Sequence, residues 1–434
     1  MIRPVIEGPA AGWGKGMLKL LLFDLDQTLV RTDDLKALRE AGRGRNDPGY
    51  VAAVQQAFQP SGPRMLYSHT VLNQLRGTYP ELRLGVFTRS PRAYALAILA
   101  CAYPGFAWDV VVAFEDVTRT KPFRDGVWKA AEQLGIKYAN EVAVVGDSDI
   151  DVCAAYHAGV LAVVDQRGWP AKREWDHWAA LGHVPDAVIH TDDELVRFVA
   201  EPETFLPELE WRLAHPDGKR AGPRFDRINK FLPAAFGGTK KPWHVFAAGR
   251  LFAGYESLET RREWHGLTAS IKESKVADTF PDAWVSAVST FIRTQLAMEL
   301  LFGRVVVTVI PHRPERPARL EQFLNQVAAA MKDHKAAQAG RLAFVPDLLA
   351  YKAGVKSQSG EHLSPTDRFA NVRDHLHVSR PDLVVSGPTY VVIDDVTTTG
   401  SSLIYASRYL TEAGAGGVLL LALAMTVSNV LPQS

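Results

Sequence analysis

Short apolar runs alternate with helix-like stretches along most of the chain, and this alternation limits the fold more than any other feature. In the first half the apolar runs lie at Leu18–Phe23, Leu84–Phe87, Val110–Ala113, Val142–Val145 and Leu161–Val164, with helix-like stretches such as Pro91–Ala102 and Phe123–Leu134 between them. Strands that are joined through helices pair in parallel and have both faces covered. The pattern therefore predicts an α/β domain built on a doubly wound parallel sheet.

A second alternating region follows a break in the pattern. From Glu201 to about Trp243 the periodicity weakens and Pro, Gly, Lys and Arg accumulate, which is typical of a junction between domains. Predicted strands and helices then resume at Val305–Ile310, Ala318–Met331, Leu342–Val345, Tyr390–Ile393, Ser402–Glu412 and Val418–Ala424. Because 434 residues exceed the size of one core, we predict two doubly wound parallel-sheet domains, at 18–200 and 243–434, with a linker at 201–242.

Composition and charge argue against several classes of protein. Apolar residues make up 47% and charged residues 22% of the chain, as in ordinary globular proteins. The formal net charge of +1 gives no general attraction to nucleic acid or to an anionic membrane. The longest apolar stretch, near Val418 to Val427, is too short to span a bilayer, and the Gly- and Pro-rich start lacks the apolar region of a signal peptide. With only two cysteines, these features predict a cytoplasmic protein.

Reactive side chains follow the predicted strands of the first half. They are Asp24 and Asp26 in "FDLDQT", Thr88 in "VFTRS", Lys121 in "TRTKPF", and Asp147 and Asp151 in "VVGDSDID". Because the carboxyl ends of parallel strands meet at one edge of a sheet, we expect these groups to lie together. Alternation along an extended stretch sends Asp24 and Asp26 to the same side, where two like charges need a compensating cation. Carboxylate clusters of this kind suit Mg²⁺.

The same residue types suit phosphoryl transfer. One carboxylate can attack a phosphoryl group to form an aspartyl phosphate, while its neighbour protonates the leaving oxygen. The Thr88 hydroxyl can hold the transferred group, and Lys121 can offset the charge that gathers there. Each piece alone has an ordinary explanation, such as a turn, a helix start or a loop. All of them in this order, each after an apolar strand, favour catalysis.

These motifs resemble those of the haloacid dehalogenase superfamily of phosphohydrolases, over about Lys19 to Phe198. The resemblance implies that Asp24 is the nucleophile and Asp26 the general acid/base, that Thr88 holds phosphate, that Lys121 balances charge, and that Asp24, Asp26, Asp147 and Asp151 bind Mg²⁺. Thr28 is the usual hydroxyl residue of the first motif. The retained Asp26 favours a phosphatase over a phosphomutase or a dehalogenase. The predicted substrate is a small-molecule phosphate ester. The stretch 31–80 would be a small cap that leaves the site open, so a macromolecular or tethered substrate remains an alternative.

A second acidic strand end lies in "YVVIDDVTTTGSS". A β-branched strand ends in Asp394 and Asp395, a hydroxyl-rich turn at 397–402 follows, and a helix begins. Hydroxyls and backbone N–H groups at a helix N-terminus form an anion site, and the missing G-K-[ST] excludes a P-loop. Two carboxylates can accept hydrogen bonds from the two hydroxyls of a ribose, and the adjacent anion site can bind its 5′-phosphate. The alternative is an ordinary capped helix after a buried strand.

This stretch resembles the phosphoribosyl pyrophosphate (PRPP) motif of type I phosphoribosyltransferases, and its surroundings resemble the ComF (competence protein F) type over about Trp243 to Thr426. The resemblance implies that PRPP is bound by Asp394, Asp395, Thr397, Thr398, Thr399, Gly400, Ser401, Ser402, Arg313 and Arg368, the two arginines acting with Mg²⁺ on the pyrophosphate; His312 could also contact it. ComF-type proteins often carry a cysteine-rich metal segment that this sequence lacks. The residues that bind the base in that family therefore cannot be assigned in this sequence.

Together the two patterns predict a bifunctional enzyme, a Mg²⁺-dependent phosphomonoester hydrolase and a PRPP-dependent phosphoribosyltransferase that makes or processes a nucleotide- or nucleoside-like metabolite. Two other hypotheses stay open. The second domain could only sense PRPP and regulate the phosphatase. Alternatively, the phosphatase could trim nucleic-acid ends, with basic residues from Lys219 to Lys241 on the backbone, although a near-neutral protein gives this little support. The phosphatase substrate, the nucleophile that accepts the phosphoribosyl group and any homo-oligomer are not determined by the sequence.

Overall fold

The computed structural model describes residues 18–58, 64–231, 242–274, 279–356 and 364–428. These residues form two compact units. The first takes the residues up to Leu206 together with Phe252–His265, and the second takes those of Pro207–Leu251 and Gly266–Val427. The chain therefore returns to the first unit after the second has begun, a feature that the sequence pattern did not indicate.

A parallel sheet forms the centre of the first unit. Among the described residues its strands are β1 (Leu20–Phe23), β2 (Arg83–Phe87), β3 (Val110–Val112), β4 (Val142–Gly146), β5 (Leu161–Asp165) and β6 (Ala187–Ile189), in the order β3-β2-β1-β4-β5-β6. In the register, Phe23 of β1 lies opposite both Val86 and Val145. The strand order reverses around β1, and α/β sheets hold their ligands beyond the strand ends at such a point. The predicted doubly wound sheet is confirmed for this unit.

Helices cover the sheet of the first unit. They are α1 (Lys36–Ala41), α2 (Pro48–Ala57), α3 (His69–Thr78), α4 (Arg92–Ala102), α5 (Asp125–Gln133), α6 (Asp149–Ala158), α7 (Trp175–Gly182) and α8 (Asp192–Ala200); α9 (Glu208–Ala214) begins the second unit, and α10 (Glu259–Glu263) belongs to the first. Helices α1 to α3 lie in the predicted insertion 31–80, between β1 and β2. The chain that enters this insertion and the chain within it that leads toward α3 are joined by a hydrogen bond. The backbone N–H of Leu66 donates to the carbonyl oxygen of Leu29 at 2.9 Å. Residues 59–63 of this insertion lie outside the described residues.

The returning segment Phe252–His265 packs into the first unit through aromatic and buried polar groups. The ring of Phe252 meets that of Tyr156 edge-on, with centroids 5.0 Å apart. The Trp264 indole Nε1 donates to the carbonyl oxygen of Gly159 at 3.1 Å. These contacts make the segment part of the core of this unit rather than a surface loop.

The second unit is built on a mixed sheet. Its described strands are β7 (Asp226–Phe231), β8 (Trp243–Ala247), β9 (Arg250–Phe252), β10 (Val305–Val309), β11 (Leu342–Phe344), β14 (Thr389–Thr397) and β15 (Gly417–Val427), in the order β11-β10-β14-β15-β8-β7 with β9 beside β15, and a separate antiparallel pair is formed by β12 (Leu349–Tyr351) and β13 (Leu376–Val378). Pairings from β11 through β8 are parallel, and β7 is antiparallel to β8. The protein is therefore an α/β protein with two parallel-rich sheets.

The remaining helices belong to the second unit. They are α11 (Gly266–Ser274), α12 (Asp282–Gln295), α13 (Ala297–Phe302), α14 (Arg319–Ala330), α15 (Lys335–Gln338), α16 (Pro365–His375) and α17 (Ser401–Glu412). In α12 the buried residues Trp284, Val288 and Phe291 recur at helical spacing and form one apolar face in the core. The region predicted as a linker, 201–242, holds α9 and β7, and its residues 232–241 lie outside the described residues. Among the described helices, none is both long and apolar enough to cross a membrane.

Candidate active site

The central strands of the first sheet bring the predicted catalytic residues together. Asp24 follows β1, Thr88 follows β2 and Asp147 follows β4. The backbone N–H of Asp24 donates to the carbonyl oxygen of Val145 at 2.8 Å, which holds the ends of β1 and β4 side by side. A cavity of about 380 Å³ opens here, and its lining includes all six residues predicted for the phosphatase: Asp24, Asp26, Thr88, Lys121, Asp147 and Asp151.

Lys121 is a buried cation between two carboxylates. It is 3% exposed, and its Nζ lies 2.6 Å from Oδ1 of Asp24 and 2.7 Å from Oδ1 of Asp151. Burial lowers the pKa of Lys121, but the Asp151 and Asp24 carboxylates outweigh burial and hold that pKa above its ordinary value. The side chain is therefore charged and is positioned to balance negative charge at Asp24.

Three carboxylates of the cavity can share one cation. One oxygen from each of Asp24, Asp147 and Asp151 lies within 4.8 Å of the others. When all three are ionised, these carboxylates and the ammonium of Lys121 together carry a net formal charge of −2. Burial raises the pKa of Asp24 to about 7, and burial with the neighbouring carboxylates raises the pKa of Asp147 well above its usual range. An all-oxygen donor set with this charge fits Mg²⁺.

Asp26 lies in the same cavity but has a different environment. Its Oδ1 accepts hydrogen bonds from Thr32 Oγ1 at 2.5 Å and from the Tyr94 hydroxyl at 3.2 Å, and Nη1 of Arg39 lies 3.2 Å away. Its Oδ2 accepts from Ser90 Oγ. This ring of donors orients the carboxylate, as a proton-transfer group requires. The role of Asp26 as a metal ligand stays a prediction.

Sequence reasoning missed the residues that hold Asp26. Ser90 follows Thr88 within "VFTRS", so its place two residues after a predicted phosphate ligand was a usable signal. Arg39 and Tyr94 gave none, because each lies on a helix with ordinary composition. Only the packing of α1 and α4 against the strand ends shows that these two side chains reach the site.

Smaller groups complete the first site. Thr88 is 1% exposed, and its Oγ1 accepts from the Ser90 backbone N–H at 3.0 Å. The Thr28 hydroxyl approaches Oδ1 of Asp147 at 3.4 Å. Gly146, at the end of β4, allows Asp151 its position, since a Cβ there would lie 2.2 Å from the Asp151 carboxyl carbon. These contacts explain why small and hydroxyl residues follow the strands.

Comparison with known proteins agrees with this geometry in the first part of the chain. Residues 68–164 match the family model described as haloacid dehalogenase-like hydrolase. The pyrophosphatase PpaX of Halalkalibacterium halodurans is 27% identical over 204 residues, which cover 39% of this chain and 94% of that protein. The N-terminal part of the chain, about 200 residues, is a haloacid dehalogenase-like hydrolase. We therefore call the first unit the hydrolase unit.

Solved structures resemble parts of the chain at low identity. A haloacid dehalogenase-superfamily hydrolase of subfamily IA from Geobacter sulfurreducens is 18% identical, with a TM-score of 0.30, and the match covers 42% of this chain and 99% of that one. The β-phosphoglucomutase of Clostridium difficile is 12% identical, with a TM-score of 0.31, over 42% of this chain and 97% of that one.

The second unit carries the other predicted site at the end of β14. This strand runs four residues beyond its predicted end at Ile393 and includes Asp394 and Asp395. Burial, with the adjacent Asp395, raises the pKa of Asp394 well above its usual range. Gly400 has a left-handed backbone (φ 74°) and directly precedes α17, so the turn needs glycine there. Strand, turn and helix thus follow one another as predicted.

The hydroxyls of this turn are partly engaged with one another. Thr398 Oγ1 lies 2.9 Å from Thr426 Oγ1, and Thr399 Oγ1 donates to Ser401 Oγ at 3.3 Å. The remaining turn residues of the predicted site are Thr397 and Ser402, of which Thr397 is buried and Ser402 half-buried. The turn therefore has hydroxyls at the N-terminus of α17, where an anion is favoured.

The predicted basic residues of the second site differ in how closely they approach it. Arg313 is half-buried, and its charge offsets part of the rise in the pKa of Asp394 that burial causes. Arg368 is half-buried in the first turn of α16. His312 is engaged with Glu321, whose Oε1 lies 2.8 Å from Nδ1 of the histidine. Residues 357–363, which come before α16, lie outside the described residues.

Proposed function

We propose that the hydrolase unit is a Mg²⁺-dependent phosphatase that works through an aspartyl phosphate. The contact between Lys121 and Asp24 carries this proposal, because it sets a buried positive charge 2.6 Å from the carboxylate that would attack phosphorus. Lys121 engages Oδ1 of Asp24, which leaves attack on phosphorus to Oδ2. The carboxylates of Asp24, Asp147 and Asp151 would hold Mg²⁺, which when bound neutralises charge on the phosphoryl oxygens.

The chemistry balances over two steps. In the first, the Oδ2–phosphorus bond forms and the bond from phosphorus to the leaving oxygen breaks, while Asp26 gives its proton to that oxygen. In the second, Asp26 takes a proton from water, whose oxygen attacks phosphorus and releases phosphate and free Asp24. The Thr88 hydroxyl, whose oxygen accepts from the Ser90 backbone N–H, can donate its own proton in a hydrogen bond to the transferred group. Because the relative named above is a pyrophosphatase, inorganic pyrophosphate belongs with phosphomonoesters among the first substrates to test.

Removal of the metal tests the proposed metal role. We expect EDTA to reduce hydrolysis of p-nitrophenyl phosphate to the background rate and added Mg²⁺ to restore it, since three clustered carboxylates repel a dianionic substrate without a cation. The measurement is the steady-state rate after dialysis, before and after Mg²⁺ is returned. Full activity in the chelated protein would contradict the metal role while leaving the aspartyl-phosphate step standing.

We further propose that the second unit binds PRPP and transfers its phosphoribosyl group to a nucleophile. Two acidic residues at the end of a central parallel strand, followed by a left-handed glycine and a helix N-terminus, support it. Asp394 and Asp395 would accept from the ribose hydroxyls, and the turn would bind the 5′-phosphate. The bond from C1 to pyrophosphate breaks as the nucleophile bonds C1, and Arg313 and Arg368 take up the leaving charge.

Such a transfer yields pyrophosphate and a 5′-phosphate ester, and both belong to the substrate classes proposed for the hydrolase unit. A PRPP-sensing role for the second unit is the alternative, and release of pyrophosphate from PRPP distinguishes the two. The nucleic-acid hypothesis is weaker, because described basic residues of the stretch it invokes are paired with acids. Nη1 of Arg220 lies 3.5 Å from Glu208, and Nη2 of Arg224 lies 2.8 Å from Asp226.

Replacing Asp394 and Asp395 together with Asn should weaken PRPP binding by about tenfold or more. Asn still accepts a hydrogen bond but lacks the charge, and hydrogen bonds to charged groups contribute about 1.5–3 kcal/mol. Ribose 5-phosphate should also bind more weakly, whereas inorganic phosphate should not change. Thr399→Val, which removes a hydroxyl of the turn, should weaken all three ligands. Isothermal titration measures each affinity, and a double variant that binds PRPP like the parent chain would remove the basis for the transferase.

A further inference from the structure

The hydrolase unit contains a second cavity, of about 360 Å³, that the proposed reaction does not use. One part of its lining comes from the sequence on either side of Lys121, namely Arg119, Phe123 and Arg124, and from His157 on α6. The other part comes from the returning segment: Tyr255, Glu256 and Ser257. None of these residues lines the active-site cavity. The returning segment thus helps to build a cavity as well as a core.

Two arginines line this cavity, and they differ in how closely a carboxylate compensates their charge. Arg119 is paired with Asp125, with nitrogen–oxygen distances of 2.8 and 3.0 Å. Arg124 stacks on Trp128, its guanidinium carbon 3.9 Å from the ring centroid, and it forms no ion pair with any described carboxylate. Burial lowers the pKa of Arg124, and the charge of Arg119 adds to this effect. An anion bound beside Arg124 would stabilise its charged form, and so would offset both the burial and the repulsion from Arg119.

The rest of the lining is aromatic and polar. Tyr255 is 48% exposed, so a large part of its side chain is open to contact. Phe123 offers a second ring in the same cavity. The hydroxyl oxygen of Ser257 is buried without a hydrogen-bond partner among the described residues, and Glu256 adds an acceptor. A ligand that satisfies all of these groups combines an anion, an aromatic ring and hydroxyl or amino donors.

We propose that this cavity binds a phosphorylated aromatic metabolite, with a nucleoside monophosphate as the simplest member of the class. Its phosphate would bind Arg124, since a guanidinium matches phosphate oxygens in geometry and charge. Its ring would lie against Tyr255 and Phe123, and its hydroxyl or amino groups would donate to Glu256 and Ser257. These contacts use every type of group that the cavity presents.

The cavity is joined to the catalytic loop by a buried hydrogen bond. Nδ1 of His157 donates to the carbonyl oxygen of Pro122 at 2.7 Å, and Pro122 directly follows Lys121. A ligand that displaces Arg124 or His157 therefore acts on the loop that positions Lys121. This coupling rests on the proposed phosphatase function, whereas the binding itself does not.

Titration calorimetry on the full-length chain tests the binding. The titrants are AMP, adenosine and inorganic phosphate, in EDTA, and the parent chain carries Asp24→Asn so that AMP is not consumed. We expect AMP to bind more tightly than either adenosine or phosphate. Arg124→Gln should remove one AMP site from the isotherm or weaken it by at least about tenfold, as loss of a charged hydrogen bond implies. Tyr255→Leu, at an exposed position, should weaken AMP while leaving phosphate unchanged.

Arg197→Gln is the matched control, because it also removes a guanidinium stacked on a ring, here Phe205 at 4.7 Å, outside the cavity. It should bind AMP like the parent chain. The proposal is overturned if AMP gives no binding heat, or if Arg124→Gln and Tyr255→Leu keep every AMP site at the parent affinity. Since the parent chain lacks the nucleophile, neither result depends on whether the hydrolase unit is a phosphatase.

Discussion

Asp24→Asn is expected to reduce hydrolysis of p-nitrophenyl phosphate by at least on the order of 10³-fold, because the variant lacks the nucleophile. Asn has nearly the same shape, so the fold should be retained. Its amide oxygen can still accept from Lys121, which lies 2.6 Å from Asp24 in the parent chain. The measurement is kcat/KM in Mg²⁺, with circular dichroism to verify the fold. PRPP binding should be unchanged, since its proposed site belongs to the second unit.

Asp193→Asn serves as the control for this substitution. Asp193 is exposed in the first turn of α8 and does not line the active-site cavity, so the same change of charge there should leave hydrolysis within about twofold of the parent, as surface substitutions usually do. Near-normal hydrolysis by Asp24→Asn would show that another residue attacks the substrate. Loss of activity in both variants would point instead to a general effect of charge.

The clustering of the proposed catalytic residues could be predicted because strand ends are local. An apolar strand that ends in Asp24 fixes where that carboxylate lies, and parallel pairing then places Asp147 beside it. For the same reason the turn after β14 could be predicted from sequence, including the glycine at 400. In each case a short segment contains both the strand and the functional group, so no long-range packing has to be known.

What surrounds those residues could not be predicted, because it depends on contacts between distant segments. Arg39 reaches Asp26 only because α1 folds over the strand ends, and nothing in the composition of that helix sets this arginine apart. The returning segment posed a harder case. Residues 252–265 follow a region that reads as a domain junction, yet they complete the hydrolase unit. Proximity in sequence therefore gave no sign that this segment packs with the first unit.

Arg261→Met should strongly destabilise the hydrolase unit. Arg261 donates through Nη2 to Oδ1 of Asp186, and both side chains are 1% exposed. Removing one partner of a buried ion pair leaves the other charge uncompensated and costs about 3–5 kcal/mol of the free energy of unfolding. The guanidinium also stacks on Trp264, with its carbon 3.8 Å from the ring centroid. Asp186 would keep only some of its hydrogen-bond donors, including the backbone N–H of Ala162, which donates to its Oδ2 at 2.8 Å.

Urea titration followed by phosphatase activity measures this loss, since activity reports on the hydrolase unit and a spectroscopic transition of a chain with two units need not be two-state. Arg262→Met is the control: its neighbouring guanidinium makes only a 3.5 Å contact with the carbonyl oxygen of Ala253, so it should shift the midpoint little. Asp186→Leu combined with Arg261→Met should recover part of the stability, because no charge is then left buried. If Arg261→Met unfolds at the same urea concentration as Arg262→Met, the returning segment does not stabilise the hydrolase unit through this ion pair.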